Sequence, residues 1–62
     1  MRFIVIMIVG YQVPSVEEVT FDFFTESNGF GIEQRKSIGC LSVGGKETFH
    51  EGTFEVTVKR VI

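Results

Sequence analysis

The chain opens on an unbroken apolar run, Phe3-Ile4-Val5-Ile6-Met7-Ile8-Val9, closed by Gly10. Ile and Val dominate it, and apolar side chains fall on both alternating faces, the pattern of a strand buried on both sides. The run is far shorter than the ~20 residues that cross a bilayer. It also lacks the small-residue cleavage site of a secretory leader, so a strand is expected, with no membrane segment. Next, Ser15-Val16-Glu17-Glu18 places a hydroxyl three residues before a glutamate, the spacing of a capping box. Val16, Val19, Phe23 and Phe24 then share one helical face, and Asn28-Gly29 supplies a left-handed stop, which predicts a helix over 15–28. Val19, Phe21 and Phe23 also alternate, so a strand is the competing reading of the same stretch.

The second half alternates more plainly. Val43-Gly44-Gly45-Lys46 has the composition of a two-residue hairpin turn, and His50-Glu51-Gly52-Thr53 offers another. Strands are therefore expected over 37–43, 46–50 and 53–61, joined as an antiparallel meander. With Cys40 opposite Phe49 and Phe49 opposite Phe54, one face carries Ile38, Cys40, Phe49, Phe54, Val56 and Val58. The opposite face carries Leu41, Val43 and Val61 among polar neighbours. The predicted class is α+β in the order β-α-β-β-β, one domain over 1–62; a small all-β barrel is the alternative.

One helix covers only one face of a sheet, yet the first strand is apolar on both. The side bearing Ile4, Ile6 and Ile8, with Leu41 and Val43, is expected to be covered by a second copy, which predicts a homodimer. Size argues the same way. A chain of 62 residues buries only about 60% of its unfolded surface, and burial on that scale barely offsets the entropy of ordering the chain. With a single cysteine, Cys40, and a single histidine, His50, neither an internal disulfide nor a structural zinc site is available to help. Hydrophobic content of 44% and a net charge of -2 place the chain far from disordered compositions. A lone thiol suits a reducing compartment, so a cytoplasmic location is expected.

Candidate chemistry is sparse. Cys40 and His50 project from opposite faces in the expected register, so they do not form a thiol and base pair; Cys40 is expected to be buried. A phosphate loop at Gly45-Lys46 would need a glycine where Cys40 stands and a hydroxyl residue where Glu47 stands. Asn28-Gly29-Phe30-Gly31 lacks the spacing and the preceding strand of a dinucleotide site. No catalytic residue, cofactor or metal site is assigned, and an enzyme is the least favoured class.

Charge is distributed unevenly. Residues 1–31 hold Arg2 against Glu17, Glu18, Asp22 and Glu26, whereas residues 32–62 are slightly basic. On the expected helix Glu18, Asp22 and Glu26 follow at i, i+4 and i+8, an acidic line able to dock on a basic surface. With Phe21 these are the expected contacts to a larger protein partner. In length and order of elements the chain is similar to small accessory proteins that phages encode against host machinery, which implies a non-enzymatic binder that inhibits or modulates a larger protein. Two rivals follow from the same residues. A barrel binding single-stranded nucleic acid would stack bases on Tyr11, Phe21, Phe23 and Phe30 with Arg35 and Lys36 on phosphates, although the acidic balance disfavours nucleic acid. An oligomer sequestering a small molecule would use Tyr11, Arg35 and His50 as polar handles.

Overall fold

The computed structural model describes residues 1–62. Strand β1 (Arg2–Val9) runs into a turn at Gly10, whose φ of 55° is left-handed, and returns as β2 (Ser15–Thr20). Two short 3-10 turns, Phe21–Phe23 and Glu26–Asn28, lead to helix α1 (Ile32–Gly39), followed by β3 (Lys46–Glu51) and β4 (Phe54–Arg60). All four strands form one antiparallel sheet in the order β2-β1-β4-β3. An α+β fold with one helix and an antiparallel sheet is therefore present, but its elements do not follow the expected order.

The helix predicted over 15–28 is absent. Its first part is β2, paired with β1 from Met7↔Ser15 to Arg2↔Thr20. A capping box is worth about 1 kcal/mol, whereas pairing beside β1 satisfies a whole ladder of backbone groups and suits the β-branched Val16, Val19 and Thr20. The chain then tightens into 3-10 geometry, in which i and i+3 lie on one side. Phe21 and Phe24 thus face the sheet together, their ring centroids 6.2 Å apart. Phe21 had no place on the predicted helical face; here its ring packs toward Phe3 at 6.2 Å.

The strand predicted over 37–43 is also absent, because α1 occupies 32–39. Gly31 precedes the helix and donates its N–H to Gln34 Oε1 at 2.9 Å, one half of a capping box. Ile38 is its only buried side chain. Gly39 allows close packing, since a Cβ there would stand 3.3 Å from the Phe21 ring. Gly44-Gly45 makes the exit from α1 into β3 and is not a hairpin tip. Gly44, at φ 88°, donates its N–H to the Arg60 carbonyl at 2.7 Å. Arg60 secures the same connection, donating through Nη1 to the Leu41 carbonyl at 2.8 Å and through Nε to the Ile62 carbonyl at 3.0 Å.

The β3–β4 hairpin is present with a shifted register. Its loop is Gly52-Thr53, with Gly52 at φ 59°, so His50 lies opposite Glu55 and Phe49 opposite Val56, not Phe54. The shift is by two residues, so the face assignment of Phe49, Phe54, Val56 and Val58 survives. β2 and β3 are free edges at opposite sides of the sheet, which rules out the closed barrel.

The core lies on one side of the sheet and consists of Phe3, Val5, Val19, Phe24, Phe30, Ile38, Val56 and Val58, with no polar side chain among them. Phe24 sits at its centre. Its ring meets Phe3 at 5.1 Å, Phe23 at 5.6 Å and Phe30 at 5.0 Å, each near-perpendicular, the favoured edge-to-face arrangement. Replacing Phe24 with Ala is expected to cost about 3–5 kcal/mol, comparable to the whole stability of so small a domain at ~0.05–0.15 kcal/mol per residue. In urea titrations monitored by circular dichroism, Phe24→Ala should be largely unfolded without denaturant, whereas Tyr11→Ala, fully exposed, should keep the parent midpoint. A Phe24→Ala protein as stable as the parent would contradict this account of the core.

Candidate interaction surfaces

Strand alternation divides the sheet into two unlike faces. Phe3, Val5 and Met7 point into the aromatic layer, so Ile4, Ile6 and Ile8 point the other way, half-buried along the middle of an uncovered face. Across this face the rows read Glu18–Ile4–Lys59–Lys46, then Val16–Ile6–Thr57–Thr48, then Ile8–Glu55–His50. Thr48 and Thr57 share a hydroxyl hydrogen bond of 2.9 Å. Glu18 reaches Arg2 at 3.7 Å, and His50 Nε2 lies 3.4 Å from Glu55. Lys46 and Lys59 stand directly opposite one another, and neither has a carboxylate within 4.0 Å.

The second surface lies on the helix side, at the end of the sheet where both hairpin connections turn. The aromatic layer stops short of this end. Phe49, Phe54 and Val56 form the floor of a groove, while Asn28, Phe30 and Gln34 form its wall, around a cavity of about 50 Å³. Asn28 is held there by its Nδ2 donating to the Phe23 carbonyl at 2.7 Å. Glu51 lines the groove, which has no lysine or arginine on it. Beyond the floor, Val9 pairs across to Phe54, and the Gly10 N–H donates to the Thr53 carbonyl at 2.9 Å, bringing the 10–14 loop to the same end. Val9 and Phe54 are exposed side by side at this end, and Tyr11 and Val13 of the loop project into solvent. A second, shallower depression of about 250 Å³ lies between Phe30, Ile32 and Arg35, with Glu26 on its rim.

The residues expected to form an acidic helical line are dispersed. Glu18 belongs to β2 and faces Arg2 on the open face, Asp22 lies in the first 3-10 turn, and Glu26 begins the second. Without a helix there is no i, i+4 spacing to align them. Phe21 is half-buried against the core and lies under the Arg35 guanidinium, 4.8 Å from its ring centroid. Of the residues grouped as an open-face set, Ile4, Ile6 and Ile8 share that face. Leu41 and Val43 do not, because their segment is the α1–β3 connection, where Leu41 packs against the core and Val43 is exposed. The groove itself was missed. Its walls come from three separate stretches, and only the tertiary fold brings Phe30 and Gln34 to Phe49 and Val56.

Of the proposed base-stacking residues, Phe30 is buried and Phe21 and Phe23 pack on the core, with Arg35 over Phe21, whereas Tyr11 is fully exposed. Tyr11, Arg35 and His50, the expected handles for a small molecule, line no common cavity. Both depressions are smaller than the about 300–1,000 Å³ of typical small-ligand sites. No three His, Cys, Asp or Glu side chains lie close enough to hold a metal ion, and no helix is long and apolar enough to cross a membrane. No protein-family model, curated protein or solved structure matches this chain.

Cys40 corrects another expectation, since it is exposed just after α1 and not buried. Its thiol should therefore react with a maleimide in the native protein at the same rate as in urea, within about threefold, as accessibility governs thiol reaction. Protection that disappears only on unfolding would show that Cys40 is covered.

Proposed function

We propose that the chain is a non-enzymatic protein-binding module that takes an aliphatic side chain of a partner segment into the groove between the 26–28 turn and the β3–β4 hairpin. The observation that carries this reading is the groove floored by Phe49, Phe54 and Val56, with Phe54 and its cross-strand neighbour Val9 both exposed at its end. Exposed apolar patches of this kind mark interaction sites, and aromatic residues concentrate at interface centres. The cavity admits the end of one side chain, which suits an anchor residue better than a free metabolite. Glu51 at the lip favours a basic residue next to that anchor in the partner sequence. This revises the expected contact surface: the acidic line gives way to one carboxylate beside an apolar groove.

A non-catalytic role accords with the scattered ionisable groups. Cys40 lies in the connection after α1 on the helix side, whereas the His50 side chain meets Glu55 on the open face. The exposed thiol suits a reducing compartment.

Selection from a displayed random peptide library, run in parallel against the parent protein and Phe54→Lys, tests the proposal. Phe54 is partly exposed, so the substitution should leave the circular dichroism spectrum intact. Peptides enriched by the parent should carry an aliphatic residue adjacent to Lys or Arg and lose at least tenfold in affinity for Phe54→Lys. Enrichment of sequences that bind both proteins equally, or no enrichment, would overturn the groove as the binding surface.

A further inference from the structure

We propose that the uncovered face of the sheet packs against a second copy of this chain about a twofold axis lying along the row Val16, Ile6, Thr57 and Thr48, so that Lys59 meets the partner's Glu55. The inference rests on the face opposite the groove and stands independently of the function proposed above.

The charge pattern selects both the occupant and the axis. Along β4 the outward side chains are Glu55, Thr57 and Lys59, so opposite charges sit symmetrically about a neutral centre. Along β1 the corresponding residues are Ile8, Ile6 and Ile4, apolar throughout. A twofold axis across the strands at Ile6 reverses strand direction while keeping each strand over its own counterpart. Ile6 then lies over the partner's Ile6, Ile4 over the partner's Ile8, and Lys59 over the partner's Glu55, twice by symmetry. The β4 charges are their own complement under this operation, while Lys46 lies over the partner's His50 and Glu18 stays with Arg2 of its own chain. Two aligned sheets about 10 Å apart with strands offset by about 30° place these side chains within reach of one another.

The alternative twofold, running along β1, stacks isoleucine on isoleucine and sets Lys59 over the partner's Glu18, but that carboxylate already faces Arg2, and β3 and Glu55 are left outside the contact. An axis between β1 and β4 would press Lys59 onto the partner's Ile4 and Glu55 onto its Ile8, burying charge against hydrocarbon. Within one chain the Lys46 and Lys59 pair is a like-charge cross-strand contact with no counter-ion, an arrangement unfavourable by itself. The partner's Glu55 supplies the missing negative charge.

The face spans about 20 by 20 Å from strand rise and spacing, smaller than the roughly 800 Å² per partner of a standard interface. The dimer is accordingly weak and concentration-dependent. Sedimentation equilibrium between about 10 µM and 1 mM on the parent, Lys59→Glu, Glu55→Lys and the double charge swap provides the test. The parent should pass from monomer to dimer in that range. Each single substitution creates two like-charge contacts and should weaken association at least tenfold, and the double swap should return it to within threefold of the parent. Lys59→Glu also removes the repulsion with Lys46, so its thermal midpoint in dilute solution should equal or exceed that of the parent, separating lost association from lost folding.

A parent that stays monomeric at about 1 mM would overturn the proposal, as would single substitutions without effect. A double swap no better than the single changes would refute the axis, including the case in which Lys59→Glu alone weakens association, which is the signature of the axis along β1. The outcome is independent of peptide binding at the groove.

Discussion

The structure depends on β1, a central strand that is apolar on both faces. A chain of this length supplies one covering layer and no more. That layer is aromatic more than helical. Helix α1 contributes one buried side chain, Ile38, while Phe24 and Phe30 fill the centre and Phe21 and Phe23 close over them. Large rings fill the space above a sheet with few residues, and the 3-10 turns let three of them come from one tetrapeptide, Phe21 to Phe24. The same economy explains where the layer ends. It covers Phe3, Val5 and Val58 completely and thins toward Val9 and Phe54, which leaves the groove.

What was legible in the sequence was whatever did not depend on long-range pairing. The run from Phe3 to Val9 is a strand by composition in any context. The alternation of Phe54, Val56 and Val58 fixed their common face, and a register shift of two preserved it. The stretch after Ser15 misled because its helix signals were local and its competitor was not. A cap stabilises one turn, whereas the edge of β1 offers a partner to every residue from Ser15 to Thr20. The real helix gave almost no signal, since Ile32 is exposed and Ile38 alone is buried. Without an apolar stripe there is no period to detect.

The surfaces follow the same division. Ile4, Ile6 and Ile8 share a face by parity alone, so their grouping needed no fold. Leu41 and Val43 were placed with them through a strand that does not exist, and Glu18, Asp22 and Glu26 were aligned by a helix that does not exist. The groove was invisible for the opposite reason: Phe30 and Gln34 precede Phe49 and Val56 by a helix, a connection and half a hairpin. Only the return of β4 to β1 closes that distance.

Association is also constrained by what the edges forbid. An open sheet invites strand addition at both sides, and here each edge strand carries charge along its length: Glu17 and Glu18 on β2, preceded by Pro14, and Lys46, Glu47 and Glu51 on β3. Charged and proline-flanked edges resist pairing with another chain. The faces carry no such protection. On one side the half-buried isoleucines of β1 run beside the charged residues of β2 and β4, and on the other the aromatic layer leaves Phe54 partly uncovered. Outward and inward side chains alternate along β4, so Glu55, Thr57 and Lys59 serve one surface while Phe54 and Val56 serve the other. A single strand thereby contributes to two unlike surfaces, and the pleat keeps substitutions on one side chemically separate from the other.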